Sequence, residues 1–175
     1  MNYYPNMLII RGTGRNVGKT LSACNIIKHL AGKHKPVGIK VSPHFHGLDG
    51  NHTVIHKSDE LVIVEEKDVS DKDSSRMLQA GASKVFYVQA KNSRLLDVIN
   101  LLSGKLSTTE PVVVESGGLY DYVEPSLLVT VTGEGSGKDI STRSDSNTVS
   151  VLSGNVKDFR WDSIEFEKGK LTLHA

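Results

Sequence analysis

The sequence is poor in cysteine, in net charge and in long apolar runs. Its single cysteine, Cys24, cannot form an internal disulfide, so the cytoplasm is the expected compartment. A formal net charge of +1 gives no electrostatic reason to expect nucleic acid or an anionic membrane as a partner. No apolar run approaches the roughly 20 residues of a membrane-spanning helix, and residues 7–10 are too few for a signal-peptide core.

What remains is the composition of a globular protein, with 38% hydrophobic and 23% charged residues in a chain of 175. This size suits a single domain over residues 1–175. Alternating segments predict an α/β fold, with a mostly parallel sheet flanked by helices and with appended β-hairpins. Strands are predicted at 7–10, 37–42, 53–56, 61–65, 85–88, 112–114, 127–131, 148–152, 163–167 and 170–174, and helices at 21–31, 74–80 and 95–102.

Two of these segments have a predicted place in the sheet, and one stretch is predicted to lie outside it. The wholly apolar run at 112–114 is typical of a central parallel strand, and we expect 127–131 to be its neighbour. Residues 133–147 are rich in Gly, Ser, Asp and charge, which predicts a mobile loop.

A glycine-rich stretch, GTGRNVGKT at residues 12–20, stands between a predicted strand and a predicted helix. This is the context of a P-loop, whose backbone N–H groups and helix N-terminus surround the phosphates of a nucleotide. Lys19 would reach the β- and γ-phosphates, and the Thr20 hydroxyl would complete the shell of a Mg²⁺ ion. The residues expected to bind the nucleotide are Gly12, Thr13, Gly14, Arg15, Asn16, Val17, Gly18, Lys19, Thr20 and, at the end of a neighbouring strand, Lys40.

The stretch departs from the standard P-loop pattern at Thr13, where that pattern has glycine. Because Gly12 and Gly14 flank this position, we expect a loop lengthened by one residue. The glycine spacing, GxGxxxG, also differs from the GxGxxG fingerprint of dinucleotide-binding proteins, and we reject that class. Arg15 would neutralise phosphate charge or remain a solvated loop side chain.

A P-loop needs a partner carboxylate at the end of a neighbouring strand to hold Mg²⁺ through water. Glu115 stands there in the sequence, directly after the apolar run 112–114 and before the turn expected at 116–118. We therefore expect Thr20 and Glu115 to form the metal site, unless Glu115 is an ordinary exposed acid at a strand end.

Two further segments resemble the MobB proteins, which are P-loop accessory proteins of molybdenum-cofactor guanylation. Residues 72–76 (KDSSR), followed by 79–82 (QAGA), are similar to the GKDSWRHREAGA-type segment of that family. Residues 39–47, which contain Lys40, His44 and His46, resemble its IKHDHHG segment. The histidines are shifted, and about twenty residues, 49–71, intervene where typical members are shorter.

The resemblance implies a homodimer that binds GTP with Mg²⁺ and hydrolyses it weakly. It also implies molybdopterin as a second ligand and, as a partner, the nucleotidyltransferase that attaches GMP to molybdopterin. Asp73 would act at Mg²⁺ or at a phosphate-coupled water, although its position also suits a helix N-cap. Arg76, one turn along, would pair with Asp73 or contact an anionic ligand.

The longer loop spacing is similar to the GTDTxVGKT loop of dethiobiotin synthetases, and residues 114–119 (VESGGL) resemble their VEGAGGL segment. That resemblance implies an ATP- and Mg²⁺-dependent enzyme that activates a carbamate and closes a ureido ring. The chain is shorter than such enzymes, and their substrate-binding regions have no counterpart in it. A third reading is a binding module in which the nucleotide only sets the dimeric state.

Histidines and late polar residues leave two further questions open. His44, His46, His52 and His56 are candidates for a zinc site, for contact with an anionic ligand, or for a polar loop. Guanine is commonly recognised by an Asp beside an Asn or Lys, and the chain has no NKxD sequence. Asp145 with Asn147, or Lys138 with Asp139, are the candidate substitutes.

Overall fold

The computed structural model describes residues 1–69, 72–134 and 147–174, and it contains ten strands and three α-helices in those ranges. The strands are β1 (Asn2–Gly12), β2 (Val37–Ser42), β3 (His52–Lys57), β4 (Leu61–Glu66), β5 (Lys84–Ala90), β6 (Val112–Glu115), β7 (Val123–Thr132), β8 (Thr148–Leu152), β9 (Ile164–Glu167) and β10 (Lys170–Leu173). The helices are α1 (Lys19–Leu30), α2 (Asp73–Gln79) and α3 (Leu95–Leu102).

Eight strands form one sheet in the order β3-β4-β5-β2-β6-β1-β7-β8, and β9 pairs with β10 in a separate hairpin. Neighbours in the large sheet run parallel, except that β4 is antiparallel to both β3 and β5. The predicted α/β fold with a mostly parallel sheet and flanking helices is confirmed. The β3–β4 hairpin and the terminal hairpin are confirmed as well.

The centre of the sheet is apolar on both faces because helices or hairpins cover both. Every residue of β6 is buried, as its uninterrupted apolar sequence predicts. Along β1, Met7 and Ile9 enter the core under α3, whereas Leu8 and Ile10 enter the core shared by α1, α2 and the β9–β10 hairpin. This alternation follows from the two-residue period of a strand. It fixes which strand residues face the α1 side of the sheet.

One predicted strand pairing is wrong. Residues 127–131 were expected beside 112–114, but β1 lies between β6 and β7 and pairs with both. Ile9 of β1, for example, is opposite Val114 on one side and Leu128 on the other. Apolar runs identify strands that are covered on both faces, but they do not encode which of several such strands are adjacent.

The predicted mobile loop at 133–147 falls mostly on residues 135–146, which lie outside the described residues. None of the helices in the described part of the chain combines the length and the apolar character that crossing a membrane requires.

Gly81, just after α2, provides a test of the packing between α1 and α2. Its φ is +107°, and an added Cβ would lie 2.9 Å from the Cβ of Ala31. We expect Gly81→Ala to lower the free energy of unfolding by about 1–3 kcal/mol, because strain and overlap add together. Urea denaturation measures the change.

Gly104→Ala is the matched control, since no neighbouring atom lies within 4 Å of the added Cβ and the backbone is not left-handed. This substitution should be neutral or stabilising by up to about 1 kcal/mol, because alanine restricts the unfolded chain. Equal stability of the two variants would contradict the packing described for Gly81.

Candidate functional site

The glycine-rich loop, residues 12–20, leads from the end of β1 into the first turn of α1. Gly18 precedes the helix with a φ of +103°, a left-handed conformation that glycine adopts without strain. A side chain at Gly12 would place its Cβ 2.7 Å from Val17 Cγ2 and 2.9 Å from Lys19 Cδ. Glycine at both positions therefore lets the loop fold closely around Lys19.

Thr13, the residue that breaks the standard spacing, ties the loop to β7. Its N–H donates to the carbonyl of Val131 at 3.1 Å, and its hydroxyl accepts from the N–H of Gly133 at 2.9 Å. Glycine has no side chain that could accept this second bond. The hydroxyl thus gives position 13 a structural role that a standard P-loop glycine would not have.

A residue far along the chain packs against the other end of the loop. Val156 follows the short turn Ser153–Asn155 after β8, and only 1% of its surface is exposed. A Cβ added to Gly18 would lie 3.0 Å from Val156 Cγ2. The segment after β8 therefore packs against the glycine-rich loop at Gly18.

Lys19 and Thr20 are the first two residues of α1. The ammonium group of Lys19 donates to the carbonyl of Gly14 at 2.5 Å, and the Thr20 hydroxyl donates to Oε2 of Glu115 at 2.9 Å. Burial lowers the pKa of Lys19 below its ordinary value, and the nearby Glu115 carboxylate opposes that shift. A bound anion would relieve this cost, because negative charge favours the protonated ammonium.

Glu115 ends β6 with 2% of its surface exposed. Lys40 is its register partner on β2, and the Lys40 ammonium contacts Oε1 of Glu115. Lys40 Nζ also lies 3.4 Å from Oδ2 of Asp73, and Oδ1 of Asp73 lies 3.6 Å from Nη1 of Arg76. The fold thus brings residues from β6, β2, α1 and α2 into one chain of alternating donors and acceptors, Thr20–Glu115–Lys40–Asp73–Arg76.

The N-cap interpretation of Asp73 is wrong. The N-cap of α2 is Lys72, Asp73 is the first helical residue, and the helix start has no side-chain capping bond. Its carboxylate instead faces Lys40 and Arg76. The predicted pairing of Asp73 with Arg76 is confirmed.

The histidines of the loop after β2 contact other side chains. The Arg15 guanidinium donates to Nε2 of His44 at 2.6 Å, which joins this loop to the glycine-rich loop. His46 Nδ1 donates to the carbonyl of Gly47 at 3.0 Å, which leaves Nε2 to accept from the hydroxyl of Tyr87 at 2.8 Å. Among residues 1–69, 72–134 and 147–174, no three His, Cys, Asp or Glu side chains converge to hold a metal, so the zinc interpretation is not supported.

Three polar residues near the site escaped the sequence reasoning. Tyr87 and Gln89 lie on the α1 face of β5, and Gln89 exchanges hydrogen bonds of 3.3 and 3.1 Å with the backbone of His46. Glu66, at the end of β4, accepts from the Ser74 hydroxyl at 2.7 Å. The sequence does contain a signal for two of them, because Tyr87 and Gln89 alternate with apolar residues and so place polar groups on one face of the strand. Burial raises the pKa of Tyr87, which keeps its hydroxyl a donor.

A cavity of about 820 Å³ extends from the glycine-rich loop to Glu66 at the end of β4 and to Tyr87 on β5. Of the residues predicted to bind nucleotide or metal or to act in catalysis, the cavity is lined by Arg15, Asn16, Gly18, Lys19, Thr20, Lys40, Asp73 and Glu115. Gly12, Thr13, Gly14 and Val17 shape the loop through the contacts described above. The volume suits a ligand of nucleotide size with space beyond it.

The candidates for base recognition fare differently. Lys138, Asp139 and Asp145 lie outside the described residues. Asn147 precedes β8, and its carbonyl accepts from the N–H of Leu128. It therefore lies at the amino end of β8, whereas the glycine-rich loop follows the carboxyl end of the parallel strand β1. Asn147 is thus not placed to contact the base of a nucleotide in this cavity.

No protein-family model, curated protein or solved structure matches the chain significantly. The geometry of the cavity is therefore the basis on which a function is assigned.

The bond between Thr20 and Glu115 gives a test that needs no ligand. Thr20→Val keeps the shape of the side chain but removes the donor from a buried carboxylate, which should lower the free energy of unfolding by about 1–3 kcal/mol. Thr20→Ser, which keeps the hydroxyl, should lose less than half of that amount. Urea denaturation of both variants measures the contribution of the bond. If Thr20→Val and Thr20→Ser were equally stable, the hydrogen bond to Glu115 would contribute nothing to the free energy of unfolding.

Proposed function

We propose that the protein is a P-loop nucleotide-binding protein that takes a purine nucleoside triphosphate with Mg²⁺ in this cavity. On this proposal the protein is of the MobB type, which assists guanylation of the molybdenum cofactor. On this proposal the nucleotide is GTP, hydrolysis is weak, and the protein works as a homodimer. Molybdopterin is the second ligand, and a nucleotidyltransferase is the partner.

The hydrogen bond between Thr20 and Glu115 beside Lys19 carries the proposal. A hydroxyl at the start of a helix and a buried carboxylate at the end of the adjoining strand are 2.9 Å apart, although 95 residues separate them in sequence. Oxygen donors of these two kinds suit Mg²⁺, which prefers hard ligands and keeps several waters. Thr20 would hold the ion directly, and Glu115 would hold it through water. The bound ion would neutralise charge on the β- and γ-phosphates.

Phosphate binding is supported by the loop and by the helix it enters. The N–H groups at the start of the 12-residue helix α1 provide a partial positive charge beside the cavity. Lys19 would exchange the Gly14 carbonyl for a phosphate oxygen, which is the stronger, charge-assisted partner. Arg15 lies at the rim, where it would contact a phosphate once it is released from His44.

Weak turnover is consistent with the surroundings of Asp73, the residue that we assign to the attacking water. Its side chain is 51% exposed and lies between the cations Lys40 and Arg76. Oδ2 lies 3.4 Å from Lys40 and Oδ1 lies 3.6 Å from Arg76, so this carboxylate would have to weaken an ion pair to take a proton from water. Catalysis would then depend on positioning and charge neutralisation by Lys19 and the loop amides.

The MobB assignment is supported by where its two resembling segments meet. Residues 72–76 and 39–47 are far apart in sequence, yet both border the cavity opposite the glycine-rich loop. The space near Tyr87 and His46 would accommodate a second ligand beside the triphosphate.

An alternative is an ATP-dependent ligase similar to dethiobiotin synthetase, favoured by the lengthened loop and its bond from Gly133 to Thr13. It would use the same Mg²⁺-nucleotide site and take a diamine and CO₂ in the remaining space. A dimeric binding module without significant turnover would use the nucleotide site alone.

Titration calorimetry of wild type and Lys19→Ala with GTP and ATP, each with and without Mg²⁺, tests the proposal. Loss of a charged contact to two phosphates should weaken binding by about 100-fold. Lys91→Ala is the control, since Lys91 pairs with Glu60 on the surface at 3.0 Å. It should bind nucleotide as wild type does.

The choice of nucleotide separates the candidate functions. A preference for GTP that depends on Lys19 supports the MobB-type function. A preference for ATP, with ADP released only when a diamine and CO₂ are present, supports the ligase. Absence of saturable binding of either triphosphate would refute all three functions.

A further inference from the structure

Lys40 contacts the carboxylate that we assign to the metal. Both oxygens of Glu115 have partners, since Oε2 accepts from Thr20 and Oε1 from Lys40. The side chain of Glu115 is 3% exposed and that of Lys40 is 15% exposed, so the pair is largely shielded from water. A buried carboxylate is costly without a counter-charge, and Lys40 provides that charge in the metal-free protein.

A divalent ion close to Thr20 and Glu115 would bring a second cation near the Lys40 ammonium. Two like charges at such a distance repel each other strongly in a shielded site. The fold offers Lys40 a second position, because Oδ2 of Asp73 lies 3.4 Å away on the cavity side. The four-carbon stem of lysine permits this movement, and its ammonium can turn its donors to a new partner.

We propose that Lys40 is the internal counter-ion of Glu115, which it holds in the metal-free protein and leaves when a metal–triphosphate complex binds. Lys40 then pairs with Asp73 and with the terminal phosphate. This inference rests on the proposed nucleotide site and adds its regulation. Metal binds weakly without nucleotide, because it displaces the Lys40 ammonium from Glu115 and Asp73 alone is a weaker partner than two anions together. A triphosphate adds its terminal phosphate to Asp73 as the second partner of Lys40, whereas a diphosphate lacks that phosphate.

The first half of the proposal, that Lys40 competes with metal, is tested by measuring Mn²⁺ binding without nucleotide at pH 8. The electron paramagnetic resonance signal of free Mn²⁺ reports how much of the ion remains unbound. Lys40→Met removes the competing cation, and we expect Mn²⁺ to bind about tenfold more tightly than to wild type, as loss of one charged hydrogen bond predicts. A role in packing alone would leave the affinity unchanged or weaken it. Lys91→Met removes a lysine from a surface Lys–Glu pair and should leave the affinity unchanged.

Thermal unfolding provides a second readout. Without metal, Lys40→Met should melt several degrees below wild type, because Glu115 is left buried without a counter-charge. Saturating Mn²⁺ should restore most of that loss. If Lys40→Met does not fold, Lys40→Gln replaces it, since its amide still donates to Glu115 but carries no charge.

Nucleotide discrimination tests the second half. In wild type, the triphosphate should bind more tightly than the diphosphate in the presence of Mg²⁺, and Lys40→Met should reduce that ratio about tenfold, as expected for one charged contact to a phosphate. Unchanged Mn²⁺ affinity in both folded Lys40 variants would overturn the proposal, and so would an unchanged triphosphate-to-diphosphate ratio. Failure of wild type to bind any nucleotide would refute the proposed function, whereas the Mn²⁺ affinities would still decide whether Lys40 competes with metal.

Discussion

Burial of one carboxylate at the centre of the sheet is the constraint on which the rest of the site depends. Glu115 is taken almost completely out of water, and an ionised carboxylate tolerates this only with close donors or cations. The fold provides them from two sides, Thr20 on the helix after β1 and Lys40 on β2. Both are available because β6 lies between β1 and β2. The strand order therefore determines which side chains surround the Glu115 carboxylate.

Parallel strands explain why so many polar groups meet at one edge of the sheet. The apolar interior of β1, β2 and β6 forces hydrophilic residues to the strand ends, and parallel strands place those ends together. The antiparallel strand β4 extends the cavity beyond that edge by adding Glu66 beside the start of α2. One side of the cavity is thus lined by the glycine-rich loop, Lys19 and Glu115, and the other by hydroxyl, imidazole and carboxylate groups.

Local sequence was sufficient for the elements and for the strand-end residues, because periodicity and glycine spacing are local properties. It predicted a loop between β1 and α1, and it put Glu115 at the end of an apolar strand. It failed where the answer depends on distant partners. The place of β7 beside β1, the use of Asp73 by Lys40 rather than as a cap, and the contacts of Tyr87 with His46 all require the order of strands in space. The role of Thr13 likewise depends on a distant partner, since its hydroxyl accepts from the N–H of Gly133.

The contact between Gly18 and Val156 has a consequence for how the sequence can vary. A Cβ added to Gly18 would lie only 3.0 Å from Val156 Cγ2, so a larger side chain at either position must be matched by a smaller one at the other. Position 18 cannot shrink, since it is already glycine. A change in the backbone position of Gly18 therefore requires a different side chain at position 156. In divergent copies of this chain, the residue at position 156 and the sequence of the glycine-rich loop should therefore vary together, because their side chains share one small space.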